Sequence, residues 1–233
     1  FRYVNKGHQS LAKARIALRN FKGGVDALIS KIPSNLLEDS GLKYERTRWR
    51  RVKGKHKPAQ QILLDPPDQL IRPKLWWRER KIQARKLLTN GQYTDAYLMA
   101  AEHGQMHSST YSEAEWLAGW IALRFLNDPT LSFKHFTSIY DVVFMPISRA
   151  RASYWSGKAA QQAGDEDLSI TWFQSAAKYC TAFYGQISAN ILEEKNINKI
   201  PCIERHREKK LTKSKLKTDE LFGVARRLSF NKR

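Results

Sequence analysis

The sequence predicts an all-α protein, a right-handed α-superhelix of stacked helical hairpins, and three observations carry that expectation. First, stretches rich in Ala, Leu, Lys, Arg, Glu and Gln recur between sparse breakers, 12 Gly and 8 Pro in 233 residues, which is the composition of helices. β-Branched alternating runs are nearly absent. Second, apolar residues return at the 3.6-residue period of a helix: Leu117, Trp120, Ile121, Leu123 and Phe125, with the small Ala118 and Ala122, follow it, as do the stretches Leu11 to Leu18 and Trp76 to Leu88. Third, the helices come in pairs and the pairs repeat.

In chain order, the first unit runs from Leu11 through Gly23-Gly24 and Ala27 to Ile32 and is the least regular. The second turns at Lys53-Gly54 and places the small Ala59 early in its second helix; the third, Gln83 to Ala100, does the same with Asn90-Gly91 and Ala96, 37 residues on (54 to 91, 59 to 96). Leu117 to Tyr140 turns at Asn127-Asp128 and Tyr154 to Tyr179 at Gly164-Asp165, each again 37 residues further (91 to 128, 128 to 165), while Gly157 answers Gly119 at a spacing of 38. Units of this size, one hairpin each, stack into a solenoid of the tetratricopeptide kind, because no hairpin alone can bury both its faces. The aromatic residues Trp76-Trp77, Trp116, Trp120, Trp155, Trp172-Phe173 and Phe183-Tyr184 are expected as the large partners of the small positions at helix crossings; a sugar-stacking platform is the alternative, open to at most one or two of the seven tryptophans. At least four hairpins are expected between Leu42 and Leu192. The repeat domain is assigned to residues 1–192, a basic linker containing Pro201 and Cys202 to 193–218, and a short amphipathic helix to 219–233.

Composition narrows the partners. With 42% hydrophobic residues the chain can bury a core, and no apolar run approaches the ~20 residues that span a bilayer. No short apolar segment behind a basic N-terminus reads as a signal peptide within these residues, and the sequence opens at Phe1, as a processed product or a piece of a longer protein would. Lys and Arg number 41 against 22 Asp and Glu, a formal charge of +19, which favours anionic partners without specifying a fold. The charge concentrates in Lys43 to Lys57, with eight cations against Glu45, and in Lys199 to Lys217, with eight against Glu204 and Glu208. In Arg46-Thr47-Arg48-Trp49-Arg50-Arg51 an aromatic is interleaved as in nucleic-acid sites, yet a solvated helix face explains the run more simply and no RNA- or DNA-binding motif accompanies it.

No cofactor and no metal is expected: two cysteines, Cys180 and Cys202, make neither a disulfide framework nor a metal cage, and His8, His56, His103, His107, His135 and His206 are expected at the surface. Either Cys180 and Cys202 are bridged, as an oxidising compartment allows, or Cys180 is a buried thiol and Cys202 an exposed one. The acidic Asp165-Glu166-Asp167 falls in a repeat turn, where helix capping accounts for it. No Gly-x-Ser-x-Gly, no P-loop and no Cys with a His-Asn partner occurs.

The segments Ala114-Glu115-Trp116-Leu117-Ala118-Gly119-Trp120-Ile121-Ala122-Leu123-Arg124-Phe125, Pro146-Ile147-Ser148-Arg149-Ala150-Arg151-Ala152-Ser153-Tyr154-Trp155-Ser156-Gly157-Lys158-Ala159-Ala160 and Phe183-Tyr184-Gly185-Gln186 resemble the soluble lytic murein transglycosylases. Leu42 to Arg51 and Trp76-Trp77-Arg78-Glu79-Arg80 extend the resemblance to about residues 8–192. It implies an α-superhelical ring or horseshoe region in a periplasmic, bacterial enzyme, ahead of a lysozyme-like domain that cleaves peptidoglycan to 1,6-anhydromuramoyl ends with one Glu and no metal. That Glu lies in a Glu-Ser motif followed by Gly-Leu-Met-Gln, and neither occurs here, so no catalytic residue carries over. The resemblance implies Arg149, Arg151, Tyr184 and Gln186 as substrate-side residues near the position of the catalytic domain. The leading reading is therefore the non-catalytic superhelical part of a lytic transglycosylase, with murein as partner and cell-wall proteins beside it. A helical-repeat scaffold for a protein partner comes second and a basic nucleic-acid binder last.

Overall fold

The computed structural model describes residues 3–106 and 108–197. Among them are eleven α-helices and no strand: α1 Lys6–Arg19, α2 Val25–Ile29, a 3-10 turn Ser34–Leu36, α3 Ser40–Val52, α4 His56–Leu64, α5 Pro73–Thr89, α6 Tyr93–Ala101, α7 Ser109–Arg124, α8 Pro129–Val142, α9 Pro146–Gln162, α10 Glu166–Ala177 and α11 Phe183–Glu194. The local chemistry explains the starts. Asn5, Asp39, Ser108, Asp128 and Asp165 each accept a backbone N–H of the first turn of α1, α3, α7, α8 and α10. Pro73, Pro129 and Pro146 open α5, α8 and α9, where the missing N–H costs nothing.

The hairpins α3/α4, α5/α6, α7/α8 and α9/α10 repeat in backbone detail. Their turns pass through Gly54, Gly91, Asn127 and Gly164, all with positive φ, at intervals of 37, 36 and 37 residues (54 to 91, 91 to 127, 127 to 164). Five residues later come Ala59, Ala96, Ser132 and Ser169, and four beyond those Leu63, Ala100, Phe136 and Phe173, all fully buried. The ring of Phe136 lies over Gly119 and that of Phe173 over Gly157, so each glycine is the small partner at a close crossing and a phenylalanine the large one. Each second helix packs on the first helix of the next hairpin, α4 on α5 through α10 on α11, and first helices pack on one another from α1 to α7 and from α9 to α11. This is an all-α helical-repeat solenoid. Its core is correspondingly divided into clusters that bridge neighbouring helices, the largest around Trp76, Trp77, Met99 and Ile121.

Helix α11 runs to Glu194, two residues past the end expected for the repeat domain, while the remainder of the linker beyond Ile197, the final helix and the basic stretch Lys199 to Lys217 lie outside the described residues. Cys180 is disulfide-bonded, and Cys202 also lies outside them. No described helix is long and apolar enough to cross a membrane.

Candidate functional site

The first helices α7, α9 and α11 carry a connected row of aromatic rings. Trp120 stacks on Trp116 at 6.0 Å, Trp116 meets Trp155 edge-on at 6.0 Å, and Trp155 meets Tyr184 at 6.5 Å. Tyr154 lies 5.1 Å from Tyr184, and Phe183, which is exposed, lies 5.2 Å from Tyr184. Helical spacing builds the row: Trp116 and Trp120 stand one turn apart on α7, so their side chains share a face. The rings are half-buried. The indole nitrogens of Trp116 and Trp155 are out of water and have no acceptor, and both rings, with Trp120, pack against the core cluster around Phe136 and Ile139, so they offer no hydrogen-bond donor.

One cation crowns the row. The Arg151 guanidinium lies 5.5 Å over the Trp116 ring, a cation–π geometry, and it makes no ion pair among the described residues. Arg124, exposed at the end of α7, is close enough to act on Tyr154, whose phenol is pushed up first by burial and then by Tyr184, with Arg124 opposing. An uncompensated guanidinium beside aromatic faces can hold a carboxylate while a sugar ring or apolar chain lies on the rings.

Of the four residues the resemblance implies, the structure joins Arg151 and Tyr184 through Trp116 and Trp155 and puts the other two elsewhere. Arg149 donates from Nε to the Val143 carbonyl at 2.9 Å and lies 5.0 Å over Tyr140; the Tyr179 phenol is the first cause that raises its already high pKa. It ties the end of α8 to the loop after α10. Gln186 is exposed and stands two residues from Tyr184, a step that points to another side of a helix. Arg149 and Arg151 part for the same reason.

Sequence reasoning missed a second constellation. His103 and His135, expected at the surface, are instead turned inward, His103 being only 5% exposed, because they share the partly buried carboxylate of Glu115. The backbone N–H of Gln105 donates to His103 Nδ1 at 2.8 Å, so Nε2 carries the hydrogen given to Glu115 Oε1 at 2.8 Å. His135 Nδ1 lies 2.6 Å from Glu115 Oε2, its Nε2 2.9 Å from the Tyr97 hydroxyl, and Ser138 Oγ donates to the same carboxylate. Burial by itself would raise the Glu115 pKa, but the two histidine hydrogen bonds outweigh it and bring the carboxyl to about 2. A group so acidic holds no proton at neutral pH and is unsuited to general-acid work; it is a clasp between the α6–α7 loop, α7 and α8. Its members stand at 97, 103, 115 and 135, and only the packing of α6, the loop after it, α7 and α8 brings them together.

The Lys43 to Lys57 run differs from a plain solvated face. Thr47 and Trp49 are buried, Arg51 pairs with the buried Glu79 through two nitrogens, and Arg50 donates to the Pro58 carbonyl. Asp165 caps α10 as expected. No group of three or more His, Cys, Asp or Glu side chains among the described residues could hold a metal ion. Compared with models of protein families, with curated proteins and with solved structures, the chain matches none.

Proposed function

We propose that the chain is the non-catalytic superhelical part of a soluble lytic murein transglycosylase, acting in the periplasm, and that it meets peptidoglycan on the aromatic and arginine surface of α7, α9 and α11. One observation carries the reading: Arg151, Trp116, Trp155 and Tyr184, drawn from the three segments that resemble that family, form one connected surface in the fold. Murein offers what this surface suits, sugar rings with apolar faces and stem peptides with carboxylates. The repeat architecture supports the same reading, and nucleic acid has no comparable support, since the basic run on α3 is largely engaged within the protein.

Co-sedimentation with purified sacculi tests it. The chain is expected to pellet with murein at low salt, and Arg151→Gln is expected to weaken binding several-fold, whereas Lys13→Gln, which removes the same charge from the exposed side of α1, leaves it nearly unchanged. Equal losses in both variants would reduce the interaction to net charge and remove the surface from the proposal. A second reading, a scaffold for a protein partner, has its own observation: Ile71, Met106, Phe144 and Phe183 are exposed and recur at 35, 38 and 39 residues (71 to 106, 106 to 144, 144 to 183) at the junctions between successive hairpins from α4 onward, with Met145 and Ile147 exposed beside Phe144. No pelleting at low salt would put that reading first.

A further inference from the structure

The first hairpin departs from the repeat in a way that opens a cleft. Helix α2 has five residues and packs chiefly on α1, so it does not fill the space beside the following hairpin as the longer second helices α4, α6, α8 and α10 do. What remains between α2, the 3-10 turn, α3 and α4 is a cleft of about 410 Å³, inside the ~300–1,000 Å³ range of small-molecule sites. Its wall is mainly aliphatic.

Among the cations of α3, Arg46 stands apart. Arg51 is paired with Glu79, Lys43 with Glu38 at 2.5 Å, Arg50 with the Pro58 carbonyl, and Arg48 lies over the Phe21 ring at 4.9 Å. The Nε of Arg46 is shielded from water and has no acceptor, and its guanidinium makes no ion pair among the described residues. A shielded donor without an acceptor is rare in folded proteins and costly until one arrives. Arg46 lines the cleft. Glu38, the acidic residue at its edge, is already neutralised by Lys43, which leaves one positive charge uncompensated.

We propose that this cleft binds a carboxylate carrying a short aliphatic group, with Arg46 as counter-ion and Ile29, Ile32, Leu37, Leu42 and Ile62 as the apolar wall. The two Nη nitrogens, which unlike Nε are not closed to water, form the end-on fork that a carboxylate accepts, and the aliphatic tail replaces water along the wall. Two sources share this chemistry, a short acyl carboxylate and the C-terminus of a peptide ending in a small apolar residue. The site is independent of the murein surface, which lies on later hairpins.

Methyl NMR of the full chain, following Ile29, Leu42 and Ile62, tests the assignment with hexanoate, hexanamide, N-acetyl-alanyl-alanine and inorganic phosphate as probes. Hexanoate or the dipeptide is expected to shift these methyls with an affinity at least about tenfold above that of hexanamide or phosphate. The tighter of the first two identifies the source. Arg46→Gln is expected to lose about tenfold or more, and Arg46→Lys, which keeps the charge without the fork, to fall between. Equal affinity for hexanoate and hexanamide, an unchanged affinity in a folded Arg46→Gln, or no methyl shift at ~10 mM of either carboxylate would each overturn the proposal. The first and third comparisons use the unaltered chain and stand even if the variant misfolds.

Discussion

A methyl group added to Gly157 would lie 2.9 Å from two ring carbons of Phe173, and one on Gly119 equally close to Phe136, so even alanine must displace a fully buried ring. Gly157→Ala is expected to lower the unfolding free energy by about 1–3 kcal/mol, measured by chemical denaturation, with part of the loss recovered when Phe173→Leu is added. A neutral Gly157→Ala would mean that Phe173 yields without cost. The close crossing at Gly157 was legible from its spacing to Gly119. The Glu115 clasp was not, because nothing local distinguishes His103 and His135 from exposed histidines until the loop and two helices meet. The clasp has a pH signature. Since Glu115 titrates at about 2 in the folded chain against an ordinary 4.5, the unfolded state binds the proton more tightly. Its contribution, about 3 kcal/mol, is present above pH ~4.5 and is lost as pH falls toward ~2. Glu115→Gln is expected to cost that much at neutral pH and progressively less below pH ~4.5; urea unfolding of both chains across that range measures it, and a difference that stays constant with pH contradicts it.

At the scale of elements, capping and turn residues announced most boundaries: Asp128 and Asp165 sit where α8 and α10 begin, and Gly54, Gly91 and Gly164 where the hairpins reverse. The shortness of α2 was not announced: the apolar pattern runs on to Ile32, yet the helix ends at Ile29 with Ser30 as its C-cap. Nor was the role of Arg80, fully buried on α5, which donates to the Leu63 carbonyl near the end of α4 and, at 3.2 Å, to the Met99 carbonyl near the end of α6. Two helix C-termini, each carrying partial negative charge, thus converge on one guanidinium. Burial lowers its pKa to about 10, with Glu102 opposing, so it remains charged at neutral pH. Replacing it with the similarly long Met strands both carbonyls, and Arg80→Met is expected to cost roughly 3 kcal/mol or more, read as a lower denaturation midpoint. An unchanged midpoint would show that water or a neighbouring donor takes over.

For the molecule as a whole, the charge of +19 acts on association rather than on folding. Binding to sacculi is expected to weaken as salt rises, because exposed charges are screened over about a Debye length, ~8 Å at physiological strength, while the aromatic contacts of α7, α9 and α11 persist. The chain alone is expected to release no anhydromuropeptides; mass spectrometry of the supernatant checks this, and anhydro ends in it would require an acid other than Glu115. By itself the sequence determined the all-α class, the hairpin unit, its period of about 37 residues and the small positions at Gly119 and Gly157, because helix periodicity, turn chemistry and repetition are local properties of the chain. Only the tertiary structure decided which predicted residues share a surface. It joined Arg151 to Tyr184 through two tryptophans, spent Arg149 on Tyr140 and Tyr179, buried His103 against Glu115 and left Arg46 unpaired in a cleft. Each of these depends on distances between helices far apart in sequence, set by how side chains of particular volume interlock, and no local pattern encodes them.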